Sequence, residues 1–332
     1  MKSPFTGKEM KLQKESRKVS FRKQEIEYTN LSYYCEDTKQ SVVTTELDEV
    51  NLRQIYNKYR ELNNIPFPEE IKKLRQKYGL SAAKMSELFG FGPNQYALYE
   101  NGEIPSISNA KAIRLADSPF VFKNMLESNK AIIKEKDYKS IITKINAKLV
   151  GFEDDFSFEE FLLGGKEPSP FTGYKSPDYN RLATMVAYFA KNLKPQKTLL
   201  NKLLFYSDFL QYKNFGSSIS GCRYAAIARG PVPDNFRSLF EKMEKDSFVK
   251  IKYIEYPDGK VGEQFLLGDE KLSDWQSFSE DELKTLQNVC RFFKGKTTKE
   301  VVEISHKETA WLKNQEDNAL IDYTYAFDLS SF

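Results

Sequence analysis

Few side chains in this sequence could carry covalent chemistry, because its 332 residues include three cysteines and one histidine. A thiol beside an imidazole can act as a nucleophile, so Cys222 with His306 is one arrangement that would support hydrolysis. Glu308 is another candidate partner for the histidine, and a buried His306 that caps a helix is the alternative. No nucleophile elbow or phosphate-binding loop accompanies these residues. The sequence therefore predicts a protein that is not an enzyme and needs no cofactor.

The cysteines are also too few to organise a structure. Cys35, Cys222 and Cys290 lie far apart, which predicts neither a disulfide framework nor a complete zinc site. No apolar run approaches the roughly 18 residues of a membrane span, and the N-terminus lacks a secretory signal. These features predict a cytoplasmic protein with no membrane partner.

Charge is divided unevenly along the chain. Residues 1–150 hold 26 Lys and Arg against 19 Asp and Glu, so the net charge of +3 leaves −4 on the remainder. The first 23 residues contain eight basic and two acidic side chains. They predict either an arm that contacts phosphates or a partner, or a solvated basic tail. The two halves are expected to have different partners.

Base-reading chemistry is indicated between residues 67 and 106, FPEEIKKLRQKYGLSAAKMSELFGFGPNQYALYENGEIPS. Proline, serine and glycine signals predict three short helices at 68–78, 82–88 and 93–100, the second capped by Ser81. A short helix, a glycine turn and a second short helix form the helix-turn-helix pattern. Arg75 and Glu100 are expected to form an ion pair between helices.

The start of the third helix carries the candidate DNA-reading residues. An asparagine or glutamine amide can pair with both N6 and N7 of adenine in the major groove, which nominates Asn94 and Gln95, next to Pro93. Lys84 and Tyr96 are candidate phosphate contacts. A solvated lysine and a packing tyrosine are the alternatives for these two residues.

The stretch LSAAKMSELFGFGPNQYALYENGEIPS resembles the Xre/Cro class of helix-turn-helix domains, and its FGFGPNQYALYENG turn is similar to that of MqsA-type antitoxins. The resemblance implies a reading role for Asn94, although Leu98 stands where those proteins have a basic reader. It also implies an N-terminal zinc segment with two Cys-x-x-Cys pairs. The pairs fall on Ser3 with Thr6 and on Cys35 with Thr38, so three thiolates are missing and no zinc is expected to bind.

The pentapeptide SPFTG occurs at residues 3–7 and again at 169–173. A duplicated fold would extend the similarity into the flanking residues, which differ. The first copy covers the altered Cys-Pro-x-Cys position, and the second leads into the C-terminal domain. The two copies are expected to share neither ancestry nor role.

A second resemblance lies in NKLLFYSDFLQYKNFGSSISGCRYAAIARGPVPDNFRSLFEKM, with SHKETAW downstream. Together these segments resemble the Panacea, or SocA-like, domain, which implies a toxin-neutralising part of an antitoxin. Large aromatic side chains supply much of the affinity of protein interfaces. The candidate toxin-binding anchors, for which burial in the core is the alternative, are Tyr206, Phe209, Tyr212, Phe215 and Tyr224.

The sequence as a whole predicts a mainly α-helical fold with small β elements. We expect a sheet-forming segment at 1–46, with short strands at 19–21, 26–28, 31–35 and 42–45. A helical region at 47–150 follows, with the helix-turn-helix at 67–118. A linker at 151–177 precedes a Panacea-like domain at 178–328 that includes a hairpin of strands 248–256 and 261–267.

These features predict a type II antitoxin that binds a co-encoded protein toxin through its C-terminal domain. Its helix-turn-helix is expected to bind operator DNA and repress the protein's own operon. A palindromic operator would imply a homodimer. A repressor that senses a small ligand and has no toxin partner is the alternative, and a Cys/His hydrolase is another.

Overall fold

A computed structural model describes residues 1–130, 135–150, 158–256, 259 and 261–332. The chain divides into two compact units. The large unit comprises Met1–Glu15, Asn30–Arg53 and Ser157–Phe332, and the small unit comprises Ser16–Thr29 and Gln54–Phe156. The predicted fold class, mainly α-helical with small antiparallel sheets, is confirmed.

Helices make up most of the regular structure. Across the described ranges, none of them is long and apolar enough to cross a membrane. Their bounds are α1 Thr45–Leu62, α2 Pro68–Tyr78, α3 Ala82–Phe89, α4 Gln95–Glu100, α5 Ile107–Leu115, α6 Pro119–Ser128, α7 Glu135–Val150, α8 Phe158–Leu163, α9 Tyr179–Leu193, α10 Lys197–Phe215, α11 Phe236–Lys245, α12 Glu280–Phe293, α13 Thr298–Ser305 and α14 Thr309–Leu312.

The strands form three small sheets in the described residues, with the orders β1-β2-β3, β4-β5 and β6-β7. Their bounds are β1 Lys11–Phe21, β2 Gln24–Cys35, β3 Gln40–Val42, β4 Tyr224–Ile227, β5 Gly230–Pro233, β6 Val249–Glu255 and β7 Val261–Leu267. The predicted C-terminal hairpin is confirmed, since β6 and β7 pair antiparallel along their whole length. Pro257 and Asp258, predicted for its turn, lie outside the described residues.

The N-terminal sheet differs from the prediction of four short strands. Ile26–Tyr28 and Leu31–Cys35 belong to one strand, β2, and Val19–Phe21 ends the long strand β1. Arg22 and Lys23 form the tight turn between β1 and β2 with φ values of 47° and 67°. Such turns favour asparagine and glycine. Because Arg22 and Lys23 stand here instead, the sequence contains no signal for this turn.

The lysine-rich N-terminus is therefore strand from residue 11 onward. β1 lies at the edge of its sheet, and lysines are frequent on edge strands because they discourage further strand pairing. The basic residues between Lys11 and Phe21 therefore lie on a β-strand, and contact with phosphates or a partner stays a prediction.

The core of the large unit surrounds α10. This helix is buried from Leu200 to Tyr212, so other elements enclose it along most of its length. Leu31 and Val50, distant in sequence, belong to the same core. Part of the N-terminal region therefore folds with the C-terminal domain.

The small unit has separate cores, and one of them holds α2, α3 and α4. Ile71, Met85 and Tyr96 are completely buried there. Tyr78 stacks on Phe122 with ring centroids 3.6 Å apart. This packing gives the helix-turn-helix a hydrophobic base within its own unit.

The predicted linker at 151–177 contains regular structure. Residues 151–157 lie outside the described residues. The remainder contains α8 and a 3-10 turn, Pro170–Thr172, which ends at Gly173. These elements belong to the large unit.

Candidate functional site

The predicted helix-turn-helix forms from α3 and α4. Ser81 begins α3, and its hydroxyl accepts a hydrogen bond from the Lys84 amide. The Tyr96 amide donates to Ser86 Oγ at 2.9 Å, and its hydroxyl donates to the Ile71 carbonyl at 2.8 Å. Buried hydrogen bonds therefore attach α4 to both α3 and α2.

The predicted ion pair between Arg75 and Glu100 is confirmed. Arg75 Nε lies 2.5 Å from Glu100 Oε1, and Nη2 lies 3.1 Å from Oε2. A bidentate pair of this kind has a defined geometry as well as a favourable charge interaction. It connects the end of α4 to α2.

Asn94 lies immediately before α4, the helix predicted to read DNA. The sequence places the start of α4 at Pro93, but the helix begins at Gln95 because Asn94 adopts a left-handed φ of 61°. Pro93 and Asn94 are exposed, and the Asn94 side chain makes no capping hydrogen bond. Gln95 Nε2 donates to Glu103 Oε1 at 3.0 Å. Asn94 therefore presents its amide outward, whereas Gln95 has a partner on the protein.

The candidate phosphate contacts separate into two cases. Tyr96 is completely buried, which favours its alternative role in packing. Lys84 is on the surface, where its Nζ lies 2.6 Å from Glu87 Oε2. Leu98, at the position of a basic reader in MqsA-type proteins, is 46% exposed. Among these residues, Lys84 is the one that a DNA phosphate could reach.

The four positions aligned with zinc ligands meet in the large unit. Ser3 Oγ donates to Cys35 Sγ at 3.4 Å, and Thr6 Oγ1 lies 3.8 Å from the same sulfur. Hydrogen bonding, first of all from the Ser3 hydroxyl, lowers the pKa of the Cys35 thiol to about 6. A cluster of one thiol and three hydroxyls thus occupies the place of a four-ligand site.

This thiol-hydroxyl cluster does not fit structural zinc, which takes four sulfur or imidazole ligands. In the described part of the chain, no group of three or more His, Cys, Asp or Glu side chains could hold a metal ion. Ser3 and Thr6 instead contact the Cys35 sulfur through their hydroxyls.

Restoring the missing thiols is expected to create a zinc site. With Zn–S bonds of about 2.3 Å, tetrahedral thiolates lie about 3.8 Å apart, close to the separations around Cys35. The S3C/T6C/T38C variant should therefore bind one zinc per chain in metal analysis of the purified protein, while the unmodified chain binds none. The same variant with Cys35→Ser is the control. A folded triple variant without zinc would contradict the alignment of these positions.

The predicted toxin-binding aromatics belong mainly to the core. Tyr206, Phe209, Tyr212 and Tyr224 are at most 2% exposed, and Phe215 is half-buried. This burial favours the alternative place in the core over a role as toxin-binding anchors. The reason is that α10 is enclosed from Leu200 to Tyr212, so Tyr206, Phe209 and Tyr212 have no outward face.

A buried polar network lies inside this aromatic core. Asp208 is completely buried, and its Oδ1 accepts hydrogen bonds from the amides of Ile219 and Ser220, each at 2.8 Å. Its Oδ2 accepts from Ser220 Oγ at 2.5 Å and from the Tyr224 hydroxyl at 2.7 Å. Burial raises the pKa of Asp208, and these four donors oppose that rise. The sequence signal for this network was Asp208 itself, a charged residue between the aromatic and apolar residues of α10.

The residues of the hydrolase alternative have separate environments. The Cys222 thiol donates to the Arg223 carbonyl, and burial raises its pKa well above the ordinary value. The His306 ring stacks on Trp311 with centroids 3.8 Å apart. Glu308 is buried and accepts from the hydroxyls of Tyr206 and Ser331. Each of these three side chains therefore has contacts with other residues of the fold.

Two segments of the chain match known protein families. Residues 1–125, which include the thiol-hydroxyl cluster and the helix-turn-helix, match MqsA, the antitoxin component of a bacterial toxin-antitoxin system. Residues 200–312 match the antitoxin SocA-like Panacea domain. Two different segments of the chain are thus similar to two antitoxin families. No curated protein matches it.

Both matches confirm the families predicted from the sequence. The MqsA match spans parts of the two units, and the Panacea match lies within the large unit. Both matches indicate antitoxin families of toxin-antitoxin systems.

Proposed function

We propose that this protein is the antitoxin of a type II toxin-antitoxin system. Its Panacea domain binds and neutralises a co-encoded protein toxin, and its helix-turn-helix binds operator DNA to repress the operon. The presence of two antitoxin-family segments in one chain is the observation that carries this proposal. The separate core beneath α2, α3 and α4 supports an independent DNA-binding role.

Neutralisation can be tested by co-expression. The neighbouring open reading frame should arrest growth when it is expressed alone, and the full-length protein should restore growth and co-purify with the product of that frame. A protein interface of ordinary size is sufficient for such neutralisation by occlusion. Continued arrest in the presence of the full-length protein, with no complex recovered, would overturn the proposal.

Binding to the operator is expected to depend on the Asn94 amide. Asn94→Gly removes the amide but suits the left-handed backbone at this position, so the start of α4 should be preserved. The loss of an amide pair with one base should weaken operator binding by about 1 to 3 kcal/mol. Titration of a labelled operator fragment at fixed salt concentration measures this change.

The exposed Asn101, at the other end of α4, provides the matched control. Asn101→Ala should leave operator affinity nearly unchanged. Equal affinities for Asn94→Gly and the unmodified protein would remove Asn94 from the reading residues. The same proposal includes a homodimer of this protein on a palindromic operator. The two half-sites of such an operator are related by the same two-fold symmetry as the two subunits of a dimer.

A further inference from the structure

Lys202 of α10 is a buried lysine in the large unit. Its side chain is 1% exposed, and its Nζ donates to the Pro231 carbonyl of β5 at 2.8 Å. A Cβ added at Gly230 would lie 2.9 Å from the same nitrogen, so the start of β5 packs directly against it. The lysine therefore faces the neutral backbone of β5.

No carboxylate offsets a positive charge at Lys202. Within the described residues it forms no ion pair, and its hydrogen bond goes to a carbonyl. The buried carboxylates of the surrounding elements are bonded elsewhere, Glu308 to Tyr206 and Ser331, and Asp208 to its own four donors. An ammonium group here would lose its hydration without compensation, and burial lowers the pKa of Lys202 to about 7.

A second base, His306, lies beside the same strand pair. One ring nitrogen donates to the backbone of Ala228, whereas Nε2 is buried and has no hydrogen-bond partner among the described residues. A proton added to Nε2 would be a buried donor without an acceptor, which is costly. Burial, followed by the charge of Lys202, lowers the pKa of His306. The charged groups next in sequence, Arg229 and Lys307, are exposed cations, so they do not favour a further positive charge.

The two bases hold the two sides of the turn between β4 and β5. His306 bonds to Ala228 before Gly230, and Lys202 bonds to Pro231 after it. Trp311, whose ring stacks on His306, donates from Nε1 to the Ile227 carbonyl at 2.8 Å. The turn is thus attached to the helices around it through side chains that can take up protons.

We propose that Lys202 and His306 form an acid-sensitive lock on the β4–β5 turn of the large unit. Both side chains are uncharged in the folded unit above neutral pH. Unfolding exposes them to water, where each binds a proton more readily, so a falling pH favours the unfolded form. The lock requires neither a toxin nor DNA, and its test uses the purified full-length chain alone.

The direction of the pH effect follows from the lysine. Its pKa is about 7 in the folded chain, against an ordinary value of 10.5 for the unfolded chain. Between these values the unfolded chain holds one more proton, so the ratio of folded to unfolded protein rises about tenfold per pH unit. Below about pH 7 the cost of burying Lys202 is complete. His306 adds a further loss as the pH falls below its ordinary pKa of 6.5.

Urea unfolding of variants at several pH values tests the lock. Lys202→Met keeps the length of the side chain but cannot take up a proton. Between pH 7 and 8.5 its folded-to-unfolded ratio should rise about tenfold less than that of the unmodified chain, because all other groups cancel in the comparison. Lys250→Met, which replaces an exposed lysine on β6, is the matched control and should rise as the unmodified chain does. Equal pH dependence of Lys202→Met and the unmodified chain would overturn the lock.

Two further measurements complete the test. Between pH 6.5 and 5.5 the ratio should fall less for His306→Gln than for the unmodified chain, and an equal fall would remove His306 from the lock. If Lys202→Met does not fold, the unmodified chain can be labelled with ¹³C at the lysine ε carbons. One NMR signal should then titrate near pH 7, and titration of every lysine above pH 9 would show that Lys202 stays charged and that the proposal is wrong.

Discussion

Asp208→Ala is expected to lower the free energy of unfolding of the large unit by about 4 kcal/mol. The substitution removes the acceptor of four hydrogen bonds, two from backbone amides and two from the hydroxyls of Ser220 and Tyr224. Each buried donor left without a partner costs about 1 to 3 kcal/mol. Urea unfolding followed by tryptophan fluorescence measures this unit selectively, because Trp275 and Trp311 both belong to it.

Two further substitutions separate the lost acceptor from the loss of packing. Asp208→Asn keeps the shape and one carbonyl oxygen, so it should cost less than Asp208→Ala. Ser207 is equally buried on the same helix and donates to the Leu203 carbonyl. Ser207→Ala should cost about 1 kcal/mol or less. If Asp208→Ala proved no more costly than Ser207→Ala, the network would not be a major source of stability.

Gly173→Ala is expected to destabilise the same unit by about 3 kcal/mol. Gly173 ends the second SPFTG with a φ of +61°, and an added Cβ would lie 2.7 Å from Ser218 Cβ and 2.9 Å from Tyr323 Cδ1. Both neighbours are completely buried, so relief would require movement of the core. The expected cost combines the left-handed backbone with overpacking.

The first SPFTG provides a control within the same unit. Gly7 has a φ of +71°, but an added Cβ there would meet no atom within 4 Å. Gly7→Ala should therefore show only the backbone cost of about 1 kcal/mol. Similar losses for the two variants would show that packing around Gly173 contributes little.

The sequence predicted the local structures whose signals lie in neighbouring residues. Ser81 and Gly79 mark helix ends directly, and the Arg75–Glu100 pair follows from the helix positions. The start of α4 was missed because Asn94 adopts a left-handed conformation, which favours glycine and asparagine but is not obligatory for them.

Features that depend on the tertiary environment were harder to predict. An aromatic side chain suits a core and an interface equally well. Tyr206 and Phe209 lie in the core because other elements enclose α10. The same enclosure turns Asp208 from one polar residue among many into the centre of a buried network. Exposure of Phe158 and Phe161 depends likewise on which side of α8 faces the core.

The path of the chain limits how the two proposed activities can be separated. It passes between the units four times, and Leu31 and Val50 complete a core whose other members follow residue 157. A fragment that ends near residue 156 would expose these two side chains to water and lose solubility. Genetic dissection of repression and neutralisation therefore requires point substitutions in the intact protein.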